Sequence, residues 1–275
     1  MDSMPARCIF GHPEFWDKVH TKFRSVFEAI AKVDDARNSL LSRQHTGLTP
    51  NQKVLFYLTE ITGFSLAEVV LLVGNGYGPG AVKIARSMLE YAVNEEYLRI
   101  CPDEIEDFLG WHWLEQSKVL RYAKENDSAL YARFSPELIA QTEEQLPKAR
   151  KRFEYRTQNG EVKRRHNWCK LNLSARSEKT QYLKQYRLVH PLASQIMHGT
   201  IGGLSFYAAS DSDGASDAHL TESPPRLDWC AQALEVGHWC SLGTIQTLSR
   251  SLAIEPVPSV NELVCDFKQA WKKVQ

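Results

Sequence analysis

Two segments far apart in the chain carry residues whose types and spacing suit proton transfer at a phosphate: Arg86 with Glu90, and Ser194 with His198. Arg86 and Glu90 are four residues apart, so on a helix they form a pair on one face. They belong to a polar stripe of Lys83, Arg86, Glu90, Asn94 and Tyr97, beside an apolar face of Ala81, Ile84, Ala85, Met88 and Ala92. Ser194 and His198 are one helical turn apart and are followed by Gly199, Gly202, Gly203 and Ser205. An arginine can stabilise charge on a reacting phosphoryl group, and a histidine oriented by a serine can move a proton near neutral pH. The plainer alternative is that Arg86 and Glu90 are a wetted surface pair and that His198 is structural. A polar stripe on a largely apolar helix must meet water or another polar face, and the Ser194/His198 face is the best complement available. The pattern therefore predicts Arg86, Glu90 and His198 around one cavity. There is no Gly-x-Ser-x-Gly elbow to support serine hydrolysis.

The strongest charge segregation lies between Lys148 and Arg187, where thirteen basic residues face only Glu154, Glu161 and Glu178, a local balance of +10. The whole chain has 33 basic and 33 acidic residues, so any attraction to polyanions must come from this placement and not from net charge. Arg150, Lys151, Arg152, Lys163, Arg164 and Arg165 supply cations for phosphates, and aromatic residues interleave with them, Trp168 above all, to stack on bases. The same run could equally be a solvated helix face, or a complement to the acidic stretch from Glu90 to Asp107, which holds seven acids and only Arg99.

Other features point to ordinary structure. Glycines at 74, 76, 78 and 80 precede Lys83 but lack the Gly-Lys-Ser/Thr of a phosphate loop, and they read as a helix stop and tight turn. Six cysteines show no CxxC and no cluster with histidine, so the sequence predicts free thiols, no metal and no cofactor. The first thirteen residues lack the apolar run of a secretory signal, which predicts a cytoplasmic protein. Val54 to Val73 is long enough to cross a bilayer, but Glu60 and Glu68 with Thr59, Thr62 and Ser65 favour a core helix and no membrane.

With 275 residues, 43% of them hydrophobic, the chain can bury a large core without staples. Helical spacing and helix punctuation recur throughout, so the fold class is all-α: an antiparallel bundle of long helices with additional N- and C-terminal helices, in one domain. Helices are predicted over about 13–42, 50–73, 79–100, 102–126 and from 136 onward, then 178–190, a restart at Pro191 running to about 209, and finally 227–252 and 260–274. Ser210 to Pro225, rich in Asp, Ser, Gly and Pro, reads as an exposed loop.

The segments GNGYGPGAVKIARSMLEYAVNEEYL and YRLVHPLASQIMHGTIGG together resemble an uncharacterised bacterial family, domain of unknown function 5677. In that family an Arg-x-x-x-Glu helix follows a glycine turn and a later helix carries Ser-x-x-x-His, which here are Arg86, Glu90, Ser194 and His198. The family is distantly similar to HEPN domains, helical bundles that include metal-independent ribonucleases of toxin–antitoxin and antiphage systems. The HEPN motif, Arg and His separated by four to six residues on one helix, is matched only by Arg7 and His12, with Gly11 among the residues between them. The resemblance implies an RNA-directed protein, with metal-independent ribonuclease as its enzymatic form, a partner protein in such a system and a homo-oligomeric state. The alternative is a non-enzymatic interaction or oligomerisation module in which the Arg/Glu/His cluster is structural.

Overall fold

The computed structural model describes residues 13–200 and 227–274. Among them the fold is all-α apart from one short hairpin. The helices are α1 (Pro13–Leu41), α2 (Pro50–Gly74), α3 (Gly78–Ile100), α4 (Ile105–Asn126), α5 (Ser128–Tyr131), α6 (Pro136–Phe153), α7 (Leu173–Lys179), α8 (Leu183–Met197), α9 (Leu227–Leu252) and α10 (Val260–Lys272). Strands β1 (Glu154–Arg156) and β2 (Val162–Arg164) pair antiparallel, Glu154 opposite Arg164. Local chemistry sets several helix starts. Thr49 closes a capping box with Gln52 ahead of Pro50, Ser259 does the same with Glu262, and Ser135 caps α6 at Leu138. The predicted Ser210–Pro225 loop and the stretch toward Ala209 lie outside the described residues.

Where the sequence suggests one domain, the chain forms two compact units: a first built on α1–α3 and α8–α10, and a second, Ile100–Ala175, containing α4–α6 and the hairpin. In the first unit α9 lies antiparallel along α2. Gln52 Nε2 donates to the Ser251 carbonyl (3.0 Å), Thr59 Oγ1 reaches the Thr244 carbonyl (3.5 Å), Leu66 faces Gly237, and Cys230 Sγ reaches the Val73 carbonyl (4.0 Å). These partners advance by seven residues on one helix as they retreat by seven on the other, the register of an antiparallel heptad seam. Small residues keep the backbones close; a methyl at Gly237 would press on Leu66 and Met88. At the α2–α3 turn Gly76 takes a positive φ of 80°, as the glycine run predicts.

The first unit's interior is not purely apolar. Glu95 is fully buried and accepts from Thr59 Oγ1 at 2.9 Å, while its Oε2 has no hydrogen-bond partner among the described residues. Burial pushes its carboxyl well above the usual carboxylate range, against the Thr59 hydrogen bond and reinforced by the neighbouring Glu96. His238 on α9 is also fully buried, and burial pushes it down to about 3. Trp271 Nε1 donates to its Nδ1 (3.4 Å), which leaves the ring proton on Nε2.

Pro191 does not restart the chain. It lies inside α8, where it forfeits one backbone hydrogen bond, and Val189, Ala193 and Ile196 keep one face of the helix buried on either side of it. The break falls earlier, at Gln181, whose φ of 65° separates α7 from α8.

Candidate functional site

In the first unit, α3 buries Ala81, Val82, Ala85, Met88, Leu89, Ala92 and Val93, and this apolar line turns Lys83, Arg86, Glu90 and Asn94 to its flank, each half-buried. Tyr97, the last of the predicted stripe, is buried. Arg86 Nη2 pairs with Glu90 Oε1 at 3.3 Å, and the arginine side chain is only 18% exposed. Arg86 Nη1 reaches Met197 Sδ at 2.9 Å, so α3 and the C-terminal end of α8 meet. A thioether is a weak acceptor, and the buried Arg86 Nε has no hydrogen-bond partner among the described residues. The guanidinium is thus under-satisfied, and an anion's oxygens would suit its donors better than sulfur does.

His198 is the residue after Met197. It caps α8, its backbone N–H donating to the Ser194 carbonyl at 3.0 Å, and its exposed ring makes no hydrogen bond or ion pair among the described residues. Ser194 is half-buried one turn earlier. The histidine that does sense Arg86 is His190, stacked on Tyr186 with ring centroids 4.6 Å apart. Burial, and after it the positive charge of Arg86, lower His190 from its ordinary value, so it stays neutral at pH 7 and able to accept a proton. His190 continues the 194/198 spacing one turn upstream.

In the second unit, α4 packs against α6 around Leu114, Ala149 and Phe153, with Trp111, Trp113 and Leu146 on the margin. This core holds the α6 terminus, which carries Arg150, Lys151 and Arg152, beside the hairpin. Asp107 on α4 accepts from Arg152 Nε and from Arg165 Nη2 (2.7 Å). Burial pushes the Asp107 carboxyl up, but the hydrogen bonds and charges of the two arginines outweigh it and hold it below its usual value. Arg165 also donates to the Trp168 and Arg152 carbonyls (3.2 and 3.3 Å) and lies over the Phe153 ring, 4.6 Å from its centroid. Part of the basic run therefore answers the acidic stretch, through Asp107 and, for Arg152, Glu106. Arg164 pairs across the strands with Glu154 (2.7 Å) and Lys163 with Glu161 (3.6 Å).

Arg150 and Lys151 are exposed and make no ion pair among the described residues. Trp168 is 6% exposed and packs edge-to-face on Phe108 at 5.1 Å, so its ring serves the core and not base stacking. A different tryptophan borders open space: a cleft of about 560 Å³ is lined by Trp111, Glu115, Lys118, Arg164, Arg165 and His166. Trp111, Glu115 and Lys118 share one face of α4, a signal visible in their 4- and 3-residue steps once the helix is drawn.

A family model described as a family of unknown function (DUF5677) matches residues 53–215, more than half of the 275. No curated protein and no solved structure matches the chain.

Proposed function

We propose that this chain, which belongs to the family of unknown function DUF5677, is an RNA-directed helical protein whose phosphate-binding surface is the basic end of its second unit. The observation that supports this best is the division of labour among the cations there. Asp107 fixes Arg152 and Arg165, while Arg150, Lys151, Arg156 and Lys170 remain exposed on the same unit. The paired arginines shape the surface, and the exposed cations beside them are free to trade counterions for phosphates.

The enzymatic form of this reading is a metal-independent ribonuclease, as in HEPN-type effectors of toxin or antiphage systems, working in the cytoplasm as a homo-oligomer. Arg86 would stabilise the phosphorane, and His190 of α8 or His198 at its C-cap would take the 2′-OH proton. Arg7 and His12, the one stretch with the HEPN spacing, lie outside the described residues. A second reading, a non-enzymatic docking module, is favoured by the outer face of α2, where Tyr57, Ile61, Phe64 and Leu71 are exposed in steps of four, three and seven.

Labelled RNA incubated with the purified full chain, with and without EDTA, separates these readings. The proposal expects binding that survives EDTA and fades with salt; any cleavage should also survive EDTA and vanish in Arg86→Ala. Absence of binding at low salt would leave the docking module.

A further inference from the structure

We infer that the cleft between α4 and the residues ending β2 is a subsite for a single unpaired nucleotide of RNA, Trp111 stacking on its base and Arg164 and His166 taking its phosphate. The inference rests on the RNA reading above and adds the strandedness of the ligand and the residues that sense it. The cleft volume, about 560 Å³, falls inside the roughly 300–1,000 Å³ range of small-ligand sites.

Each wall has a distinct role. Trp111 is half-buried and braced edge-to-face against Phe153, centroids 5.1 Å apart at 88°, so its ring is held rigid while part of it lines the cleft. A braced indole is a stacking platform that loses little freedom when a base lands on it. Arg165 contributes charge but few free donors, because Asp107 and the Trp168 and Arg152 carbonyls occupy its nitrogens. Among the described residues Arg164 is bound only at Nη2, by Glu154, and its side chain is 33% exposed; His166 beside it is exposed. These two therefore supply the phosphate donors.

At the rim Lys118 and Glu115 pair at 2.7 Å, each about half exposed, a geometry that contributes little and opens readily. Among the described residues Glu115 is the one acid lining the cleft, and its side-chain oxygens can accept from the amino edge of a stacked base. A duplex keeps its bases stacked on one another and paired, so no ring of it can enter; an unpaired strand can splay one out. The exposed Arg150 and Lys151 on the same unit supply further phosphate contacts for a strand longer than the cleft holds.

The test is fluorescence anisotropy with the full chain and a labelled oligoribonucleotide of roughly twelve nucleotides, single-stranded or annealed to its complement. The proteins are wild type, Trp111→Ala, Trp111→Phe, Arg164→Gln and the double reversal Arg150→Glu/Lys151→Glu. Wild type should prefer the single strand about tenfold or more. Trp111→Ala should lose roughly five- to a hundredfold on the single strand, the range of one stacking contact, with duplex binding unchanged. Trp111→Phe should keep most of the affinity, and Arg164→Gln should lose it partially; both keep the test valid if Trp111→Ala fails to fold. The double reversal should weaken both ligands alike. Equal binding of single strand and duplex, or wild-type affinity in Trp111→Ala that melts normally, rejects the subsite while the RNA reading stands. No RNA binding by wild type rejects the RNA reading itself, and the subsite with it.

Discussion

Glu95 and Asp107 are both helix carboxylates, and the two units treat them in opposite ways. Glu95 in the first unit is sealed among α2, α3 and α9 with a threonine hydroxyl as its partner and no cation, and burial pushes its carboxyl up. Asp107 in the second unit is clamped by two arginines, which hold it low against the pull of burial. The first unit therefore seals Glu95 and His238 inside the bundle as neutral groups, whereas the second holds Asp107 in charged pairs near the surface. Proton uptake and release should govern the stability of the first. Salt and anions should govern the behaviour of the second.

The largest effect expected from this contrast belongs to His238. Its folded value, about 3, lies below the ordinary 6.5, so the unfolded chain takes a proton that the native ring refuses. The stability this provides is present above about pH 6.5 and is lost as pH falls toward 3, in all roughly 4–5 kcal/mol by linkage. Denaturant melts of wild type and His238→Gln from pH 7.5 to 4 measure it. The wild-type curve should fall steeply on acidification and that of the variant much less, since Gln can accept from Trp271 without titrating. Parallel curves would remove His238 as the acid-sensitive group.

Glu95 should act with the opposite sign. Its raised folded value means that the native state keeps a proton the unfolded chain gives up, so stability declines as pH rises above the ordinary carboxylate range. Glu95→Gln should be more stable than wild type at pH 8, and the difference should shrink toward pH 4. A variant less stable than wild type at both ends would mean that Glu95 is ionised in the fold.

The smallest effect on stability should come from the exposed cations of the second unit. Arg150→Glu/Lys151→Glu should melt within about 0.5 kcal/mol of wild type, because neither residue makes an ion pair among the described residues that its loss would strand. That near-silence in folding is what makes the pair a clean probe of ligand binding.

Much of the first unit was legible because its signals are local. Thr49-Pro50 marked the start of α2, the glycine run its end, and Leu227–Leu252 came out as predicted. The hairpin leaves no trace in the sequence pattern because three-residue strands at Glu154–Arg156 and Val162–Arg164 are too short to show alternation. The division into two units was illegible for a related reason: it falls next to a helix end at Ile100 and inside α7, with no Pro- or Gly-rich linker to betray it. At the candidate sites the spacing of Arg86 and Glu90 carried enough to predict their pairing. Which aromatic faces solvent and which histidine feels Arg86 depend on three-dimensional packing, so the sequence points to Trp168 and His198 where Trp111 lines the cleft and His190 feels the arginine.

The central claim, that the basic end of the second unit binds RNA through phosphates, is tested most directly by the salt dependence of single-stranded RNA affinity for wild type and for Arg150→Glu/Lys151→Glu. Wild type should show a linear fall of log K with log salt, with a slope near −0.7 for each phosphate neutralised, and the double variant should bind more weakly with a slope shallower by about 1 to 2 at an unchanged melting temperature. Identical slopes and affinities for the two proteins would contradict the account.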